Sequence, residues 1–355
     1  MRIGVPRETK EGEKRAALGP GHVARLVAEG HDVRVERGAG LGIDAADADY
    51  ANAGARLAAA EEAWECELVV KVKEVQPAEL ERVRPGPVLF AFQHLAGEPD
   101  MTRALAARGA SAIAFELVRD ERGRYPLLAP MSVIAGRMAF EAAVRHLGRA
   151  PLEVLVLGAG NAGIAAARAA CEQGARVALL TRTERSREAA RERLPACARC
   201  DLASPEAVER HALEADIVVG AVFVPGAPTP KLLPRSLVAR MKRGAVIADV
   251  SIDAGGVAET SRPTTHARPT YVEEGVVHYC VGNIPAADAK ASAAALAGAL
   301  LPFVRELSGA GIERALRASP TLRGAAVLWR GAVSHRGIAE EARLPYTPLF
   351  AAAPQ

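Results

Sequence analysis

Apolar residues fall into two alternating rhythms along this chain: short unbroken runs, and longer stretches with an apolar residue at every third or fourth position. The runs at 3–5, 33–35, 68–72, 88–92 and 112–115 are β-branched or aromatic-containing and predict strands. The stretches between them predict helices. In residues 21–29, Val23, Leu26 and Val27 share one face, and Gly30 stands where a helix stop belongs. Residues 101–108 repeat the pattern, with Asp100 as the expected cap and Gly109 as the expected end. Strands that alternate with helices predict a parallel sheet covered on both faces.

A second series follows the junction Pro126-Leu-Leu-Ala-Pro130. Residues 131–147 predict one long helix leading into a strand at 154–157, with further strands at 177–180, 217–219, 246–250 and 276–281. The alanine-rich run 286–307 predicts a connecting helix. Residues 309–355 are too few for another domain and are expected to return and cover the first. The result is a discontinuous substrate domain, 1–128 plus 291–355, with an inserted dinucleotide domain, 129–290. Both are α/β, doubly wound and Rossmann-like, with an active-site cleft expected between them.

The most informative segment is an apolar strand running into Gly158-Ala-Gly160-Asn161-Ala162-Gly163, followed by a helix of small residues. Gly158 suits the tight turn, Gly160 lets a pyrophosphate approach the backbone, and Gly163 lets helix and strand pack closely. The helix start supplies unpaired amides for phosphate. A second strand ends about 20 residues later, as a dinucleotide fingerprint requires. At that end an acid would bind the 2′-hydroxyl of NAD, whereas a cation suits a 2′-phosphate. The chain has Thr181 and Arg182 there, with Arg185 and Arg187 close behind. This favours NADP(H) over NAD(H), the alternative being a solvent-facing Arg182 and NAD bound without an acid.

Composition narrows the partners. With 45 basic against 42 acidic residues the net charge is only +3, which gives no case for nucleic acid or an anionic membrane. No stretch is read as approaching the ~20 apolar residues of a membrane span, and the start of the chain turns polar after Pro6, unlike a secretory signal. Five cysteines do not suggest a disulfide framework. Cys197 and Cys200 form a lone CxxC with no completing ligands, so both are expected to be ordinary thiols, with no metal. The cytoplasm is the default compartment.

Several stretches together resemble the alanine dehydrogenase family, in order and over nearly the whole chain. They are Arg2-Ile-Gly-Val-Pro-Arg-Glu-Thr-Lys10, Glu13-Lys-Arg15, Lys71-Val-Lys73-Glu74, His94-Leu-Ala96, Pro126-Leu-Leu-Ala-Pro-Met-Ser132 and Gly220-Ala-Val222. Asp249-Val-Ser-Ile-Asp253-Ala-Gly-Gly256, the run from Ser261 to Cys280 and Leu344-Pro-Tyr-Thr-Pro348 complete the set. The superfamily includes the nucleotide-binding transhydrogenase subunit and opine-type enzymes. The resemblance implies that Arg15 and Lys73 hold the substrate carboxylate, with Lys73 also at the reacting oxygen. It makes His94 the acid/base and Asp253 an essential carboxylate from the cofactor domain. Ser132, Val222 and Asn283 are implied as cofactor neighbours. Chemistry agrees: guanidinium fits a carboxylate, an ammonium stabilises charge on oxygen, and imidazole moves protons near neutral pH.

Taken singly, each residue has a plainer explanation. Arg15 could be a surface charge, one of Lys71 and Lys73 could face water, His94 could be a loop histidine and Asp253 a turn residue; His278 is read as structural. The pattern also departs from the family. The segment 147–153 is shorter, Val133 stands where Glu is usual, Phe115 where Tyr is usual, and the usual Thr-Ser after Asn283 is missing. A diverged branch is implied, whose substrate need not be alanine. The activity implied is reversible NAD(P)H-dependent reductive amination of a small, pyruvate-like 2-oxo acid by a homo-oligomer. The alternatives are an opine-type enzyme like carboxyethylornithine synthase, joining a 2-oxo acid to an amino acid, and a non-catalytic NADP(H)-binding protein.

Overall fold

The computed structural model describes residues 1–224 and 228–350, which fall into two units, Met1–Pro130 with Asp288–Gln355 and Met131–Ala287. The first unit opens with β1 (Arg2–Val5), β2 (Asp32–Glu36), β3 (Arg56–Ala58), β4 (Leu68–Val70), β5 (Val88–Ala91) and β6 (Ser111–Ala114). The second holds β7 (Glu153–Leu157), β8 (Arg176–Thr181), β9 (Ala198–Leu202), β10 (Ile217–Gly220), β11 (Val246–Asp249), β12 (Thr270–Glu273) and β13 (Val276–Tyr279). The chain then returns to the first unit with β14 (Ala326–Trp329) and β15 (Ala332–Val333).

Both sheets are wound outward from a central strand. The first has the order β15-β14-β6-β5-β4-β1-β2-β3, parallel from β1 to β6. The second runs β12-β13-β11-β10-β7-β8-β9, parallel except for β12. Strands β4, β5, β6, β10 and β11 are buried along their whole length, as apolar runs covered by helices on both faces must be. Winding reverses between β1 and β4 in one unit and between β7 and β10 in the other. Loops that leave such a pair on opposite faces open a crevice at the strand carboxyl ends. The chains after β1, β4 and β5, and after β7 and β10, are therefore the places to look for ligand groups.

Several expectations need correcting. The tail extends the first sheet as well as covering it: β14 and β15 add to its edge, with β14 antiparallel to β6, while the helix Arg336–Ala342 packs Ile338 and Ala339 into the core beside Val69, Leu89 and Leu105. Asp100 does not cap its helix, because Pro99 takes the first helical position and puts Asp100 inside the first turn. The runs 68–72 and 88–92 leave the sheet early, at Val70 and Ala91. β9 and β12 were not predicted because edge strands bury little; in β9 only Cys200 is buried. The β12–β13 hairpin turns on Glu274 and Gly275, both at positive φ, where Asn-Gly would have been the stronger sequence signal.

The helix Ala289–Ala310 also differs from expectation, being long and apolar enough to cross a membrane by length and composition. Its buried face, Ala293, Leu296, Leu300, Val304 and Leu307, packs into the first unit instead. Cys197 is not an ordinary thiol. It is disulfide-bonded to Cys171, which lies near the end of the helix Asn161–Glu172, while Cys200 is a free buried thiol. Sequence spacing could not reveal this pair, since only the fold brings the two segments together.

At the opposite, amino end of the second sheet, the buried Asp216 gathers four donors. Its carboxylate accepts from Arg149 and Lys242, at 2.8 and 2.9 Å, and from the amides of Leu152 and Glu153, at 2.8 and 3.1 Å. Burial works against ionisation, but these donors outweigh it and hold the carboxyl far below its ordinary value. A folded-state pKa below the unfolded one gives stability that is present above the unfolded value and lost as pH falls towards the folded one. Asp216→Asn is expected to cost about 1–3 kcal/mol at neutral pH, chiefly from two poorly satisfied amides. Thermal melts should show the Tm gap to wild type closing below about pH 4; a gap independent of pH would refute the ionic contribution.

Candidate active site

The first unit brings three of the predicted residues together. Arg15 follows β1, Lys73 follows β4 and His94 follows β5, so all three lie beyond strand carboxyl ends around the β1/β4 reversal. The Lys73 ammonium stands 5.8 Å from the centre of the Phe92 ring, and that ring stacks on His94 with centroids 5.7 Å apart. Arg15 and Lys73 are buried, whereas His94 keeps an exposed face. Arg15 is aimed by its near neighbour Glu13, whose carboxylate accepts from Nε at 2.7 Å and Nη2 at 2.6 Å.

Electrostatics follow from that crowding. Burial, and then the charge of Arg15, lower the basicity of Lys73. His94 is depressed below the ordinary imidazole value by close packing first and by Lys73 second, while Glu74 pulls the other way. Its exposed face lets water recover part of the packing penalty. Glu74 pairs with Lys10 through Oε1, and its Oε2 is buried without a hydrogen bond among the described residues. Buried cations with few counter-charges make a place for an anion, and a neutral imidazole beside them can accept a proton.

Lys71, which parity pairs with Lys73, does not face water. It is buried between Glu8 and Glu79, at 3.4 and 2.7 Å, beneath the Trp64 ring. Burial opposes its charge, but the two carboxylates win and raise its pKa. Glu8 also accepts from the amides of Val72, at 2.6 Å, and Lys73, at 3.3 Å. Sequence reasoning missed Glu8, Glu13 and Glu116 as supports. Their signal was weak: acids in loops next to predicted site residues, with nothing to show they are turned inward.

The second unit builds the glycine turn as predicted. Gly158 has φ +108°, and a Cβ there would lie 2.3 Å from the Ala221 carbonyl oxygen; one on Gly163 would lie 1.9 Å from that of Gly158. Around Gly160 the corresponding space is open, which is the cradle a pyrophosphate needs. Asn161 opens the following helix, and its side-chain oxygen accepts from Arg193 at 2.9 Å; Ala162 follows it in the first turn. Thr181 is buried at the end of β8, and Arg182 beyond it is exposed, with no ion pair among the described residues. Val222 donates its amide to Ser251 at 2.8 Å, beside β10. Asp253 is exposed in a short turn after β11, facing Gly282, and Asn283 next to it has φ +54°. Ser132 is half-buried on the helix Leu128–Leu147. His278 belongs to the core: Nδ1 donates to the Val276 carbonyl at 3.0 Å, leaving Nε2 to accept from Thr260 at 2.7 Å.

Comparison with known proteins gives the same frame. Residues 4–135 match the family described as alanine dehydrogenase/PNT, N-terminal domain, and residues 133–336 match its C-terminal domain. The chain is 42% identical to an alanine dehydrogenase of Halomonas elongata and 41% identical to one of Mycobacterium tuberculosis, covering 98% of itself and of each relative. Among solved structures it resembles an L-alanine dehydrogenase with a TM-score of 0.91 and 37% identity, covering 96% of this chain and 99% of that one. A transhydrogenase from Sinorhizobium meliloti follows at a TM-score of 0.82 and 26% identity, covering 94% and 99%.

Removing the Lys73 charge should favour the imidazolium form, so Lys73→Met is expected to raise the pKa of His94 part of the way towards the ordinary value of about 6.5. An NMR titration of the His94 ring checks this directly; an unmoved titration would remove Lys73 as a control on that histidine.

Proposed function

The chain belongs to the alanine dehydrogenase/PNT family, and from that premise we propose that it catalyses reversible, nicotinamide-dependent reductive amination of a small, pyruvate-like 2-oxo acid to an L-amino acid. The observation that carries this is the grouping of Arg15, Lys73 and His94 beyond β1, β4 and β5, in a chain matching alanine dehydrogenases over nearly its whole length. Neither opine-type condensation nor non-catalytic binding is needed to account for these features.

In this proposal the first unit, close to residues 1–128 with 291–355, holds substrate, and residues 129–290 hold the dinucleotide. Gly158, Gly160, Asn161, Ala162 and Gly163 would carry the phosphates, with Ser132, Val222 and Asn283 as further cofactor contacts. Once bound, the nicotinamide supplies or accepts the hydride. Arg15 and Lys73 take the substrate carboxylate, and Lys73 stabilises charge developing on the carbonyl oxygen. An anion between these cations offsets the Lys73 charge, the second cause after burial of the depressed His94 basicity, so substrate binding raises that basicity. His94 then donates a proton to the departing oxygen and, in reverse, receives one. Asp253 orients ammonia or stabilises the iminium.

NADP(H) is favoured over NAD(H) because Thr181 is uncharged and the exposed Arg182 has no carboxylate partner among the described residues, leaving its guanidinium for a 2′-phosphate. The enzyme is further proposed to be a cytoplasmic homo-oligomer with small-molecule substrates and neither nucleic acid nor membrane as partner. In that compartment the exposed Cys197 puts its disulfide within reach of reducing thiols.

The deciding experiment follows NADPH and NADH oxidation over a panel of 2-oxo acids, with ammonia or with amino acids as amine donor. Ammonia-dependent turnover of pyruvate or a close analogue is expected; turnover with amino-acid donors alone would overturn the proposal. Arg182→Ala should raise the KM for NADPH roughly tenfold or more while barely changing that for NADH, in keeping with the loss of a charge-assisted contact of about 1.5–3 kcal/mol. Equal effects on both cofactors would sink the 2′-phosphate role.

A further inference from the structure

His94 stands on a loop whose backbone is unusual. Its φ of +46° is a left-handed conformation that L-residues rarely adopt and that persists only where the surroundings enforce it. The enforcing group is a single carboxylate. Glu116, from the short turn after β6, accepts the His94 amide at 2.7 Å and the Gln93 amide at 3.1 and 3.2 Å, one distance to each oxygen. Successive amides that converge in this way form a concave anion site, and here the acceptor is the chain's own carboxyl group, whose pKa burial raises against the pull of these amides. The turn carrying Glu116 is anchored in turn by Phe115, whose buried ring stands edge-on to Phe90 and Phe92 at 4.6 and 5.2 Å.

We propose that Glu116 is a positioning residue for catalysis: by filling the nest made by the Gln93 and His94 amides it fixes the left-handed turn that stacks the His94 ring on Phe92 and aims it at the reacting atoms. Without the carboxylate the two amides lose their acceptor and the backbone relaxes towards negative φ, carrying the imidazole away from Lys73. Glu116 itself need not touch substrate. The proposal rests on the acid/base role of His94 given above. Glu8, receiving the Val72 and Lys73 amides, is a parallel arrangement one strand away.

A double-mutant cycle on the full-length protein tests this, using Glu116→Gln, His94→Ala and the pair together. The Gln side chain keeps the shape but presents an N–H where an oxygen accepted. Glu116→Gln is expected to lower kcat by as much as roughly 100-fold, the scale of a misaimed catalytic group, with the dissociation constant of the dinucleotide unchanged. In the His94→Ala background the same change should cost little more, because there is no ring left to aim. A loss that recurs undiminished in that background would mark Glu116 as merely structural and overturn the proposal. Wild-type turnover in Glu116→Gln beside a crippled His94→Ala would overturn it too, leaving the histidine's role intact. Near-normal turnover in His94→Ala would instead remove the acid/base role, and the proposal with it. Should Glu116→Gln fail to fold, Glu116→Asp, which keeps the carboxyl group and withdraws it by one methylene, carries the same cycle.

Discussion

A parallel strand that ends inside a protein leaves amide donors pointing into a loop, and each must find an acceptor or destabilise the fold. In this chain carboxylates meet that demand repeatedly. Glu8 serves Val72 and Lys73, Glu116 serves Gln93 and His94, and the buried Asp249 serves Ser251 and Val257 while accepting from the Ser261 hydroxyl. Asp216 does the same at the amino ends of the second sheet. Three of these four lie at strand carboxyl ends, where function is placed. A carboxylate bonded to main-chain amides fixes a loop more rigidly than side-chain packing could, because amide positions are set by the backbone itself.

This constraint explains what the sequence disclosed and what it withheld. The period of apolar residues is enough to place most central strands, because a strand covered on both faces must be apolar throughout. β9 and β12 escaped because edge strands bury one face at most, β14 because it joins β6 across more than 200 residues of chain, and β15 because it is an edge strand of only two residues. Arg15, Lys73 and His94 were legible as candidates only through the family resemblance, and the glycine turn through its place between a strand and a helix. Their supports were not. A glutamate that turns inward to hold a backbone has the same letter as one that faces water, and only its neighbours in space distinguish them. Cys171 and Cys197 are the same kind of case, a pair made by the fold and not by spacing.

The departures from the family pattern also acquire physical content. Phe115, where Tyr is usual, lies fully buried against Phe90 and Phe92, so its ring supports the Lys73–Phe92–His94 stack through packing alone. A hydroxyl at that depth would need a partner of its own. Val133, where Glu is usual, is exposed on its helix and withdraws a charge from the surface of the dinucleotide-binding unit. Neither position is among Arg15, Lys73, His94 or the glycine turn. The residues that the resemblance implies for the site are therefore present in this chain, while these two other positions depart from the usual pattern.

The remaining question is why, under the proposed acid/base role, His94 should be held neutral in the free protein. Burial is the first cause and the Lys73 charge the second, with Lys10 adding to it, while Glu74 pulls the other way and Glu116 receives the histidine's own amide. The balance opposes a further proton. In the proposed reaction a 2-oxo acid would bring an anion, and its carboxylate would offset the Lys73 part of that opposition. Protonation of His94 and binding of substrate then favour each other, since each relieves the other's electrostatic cost. On that reading the part of the depression that comes from the Lys73 charge is what couples the two.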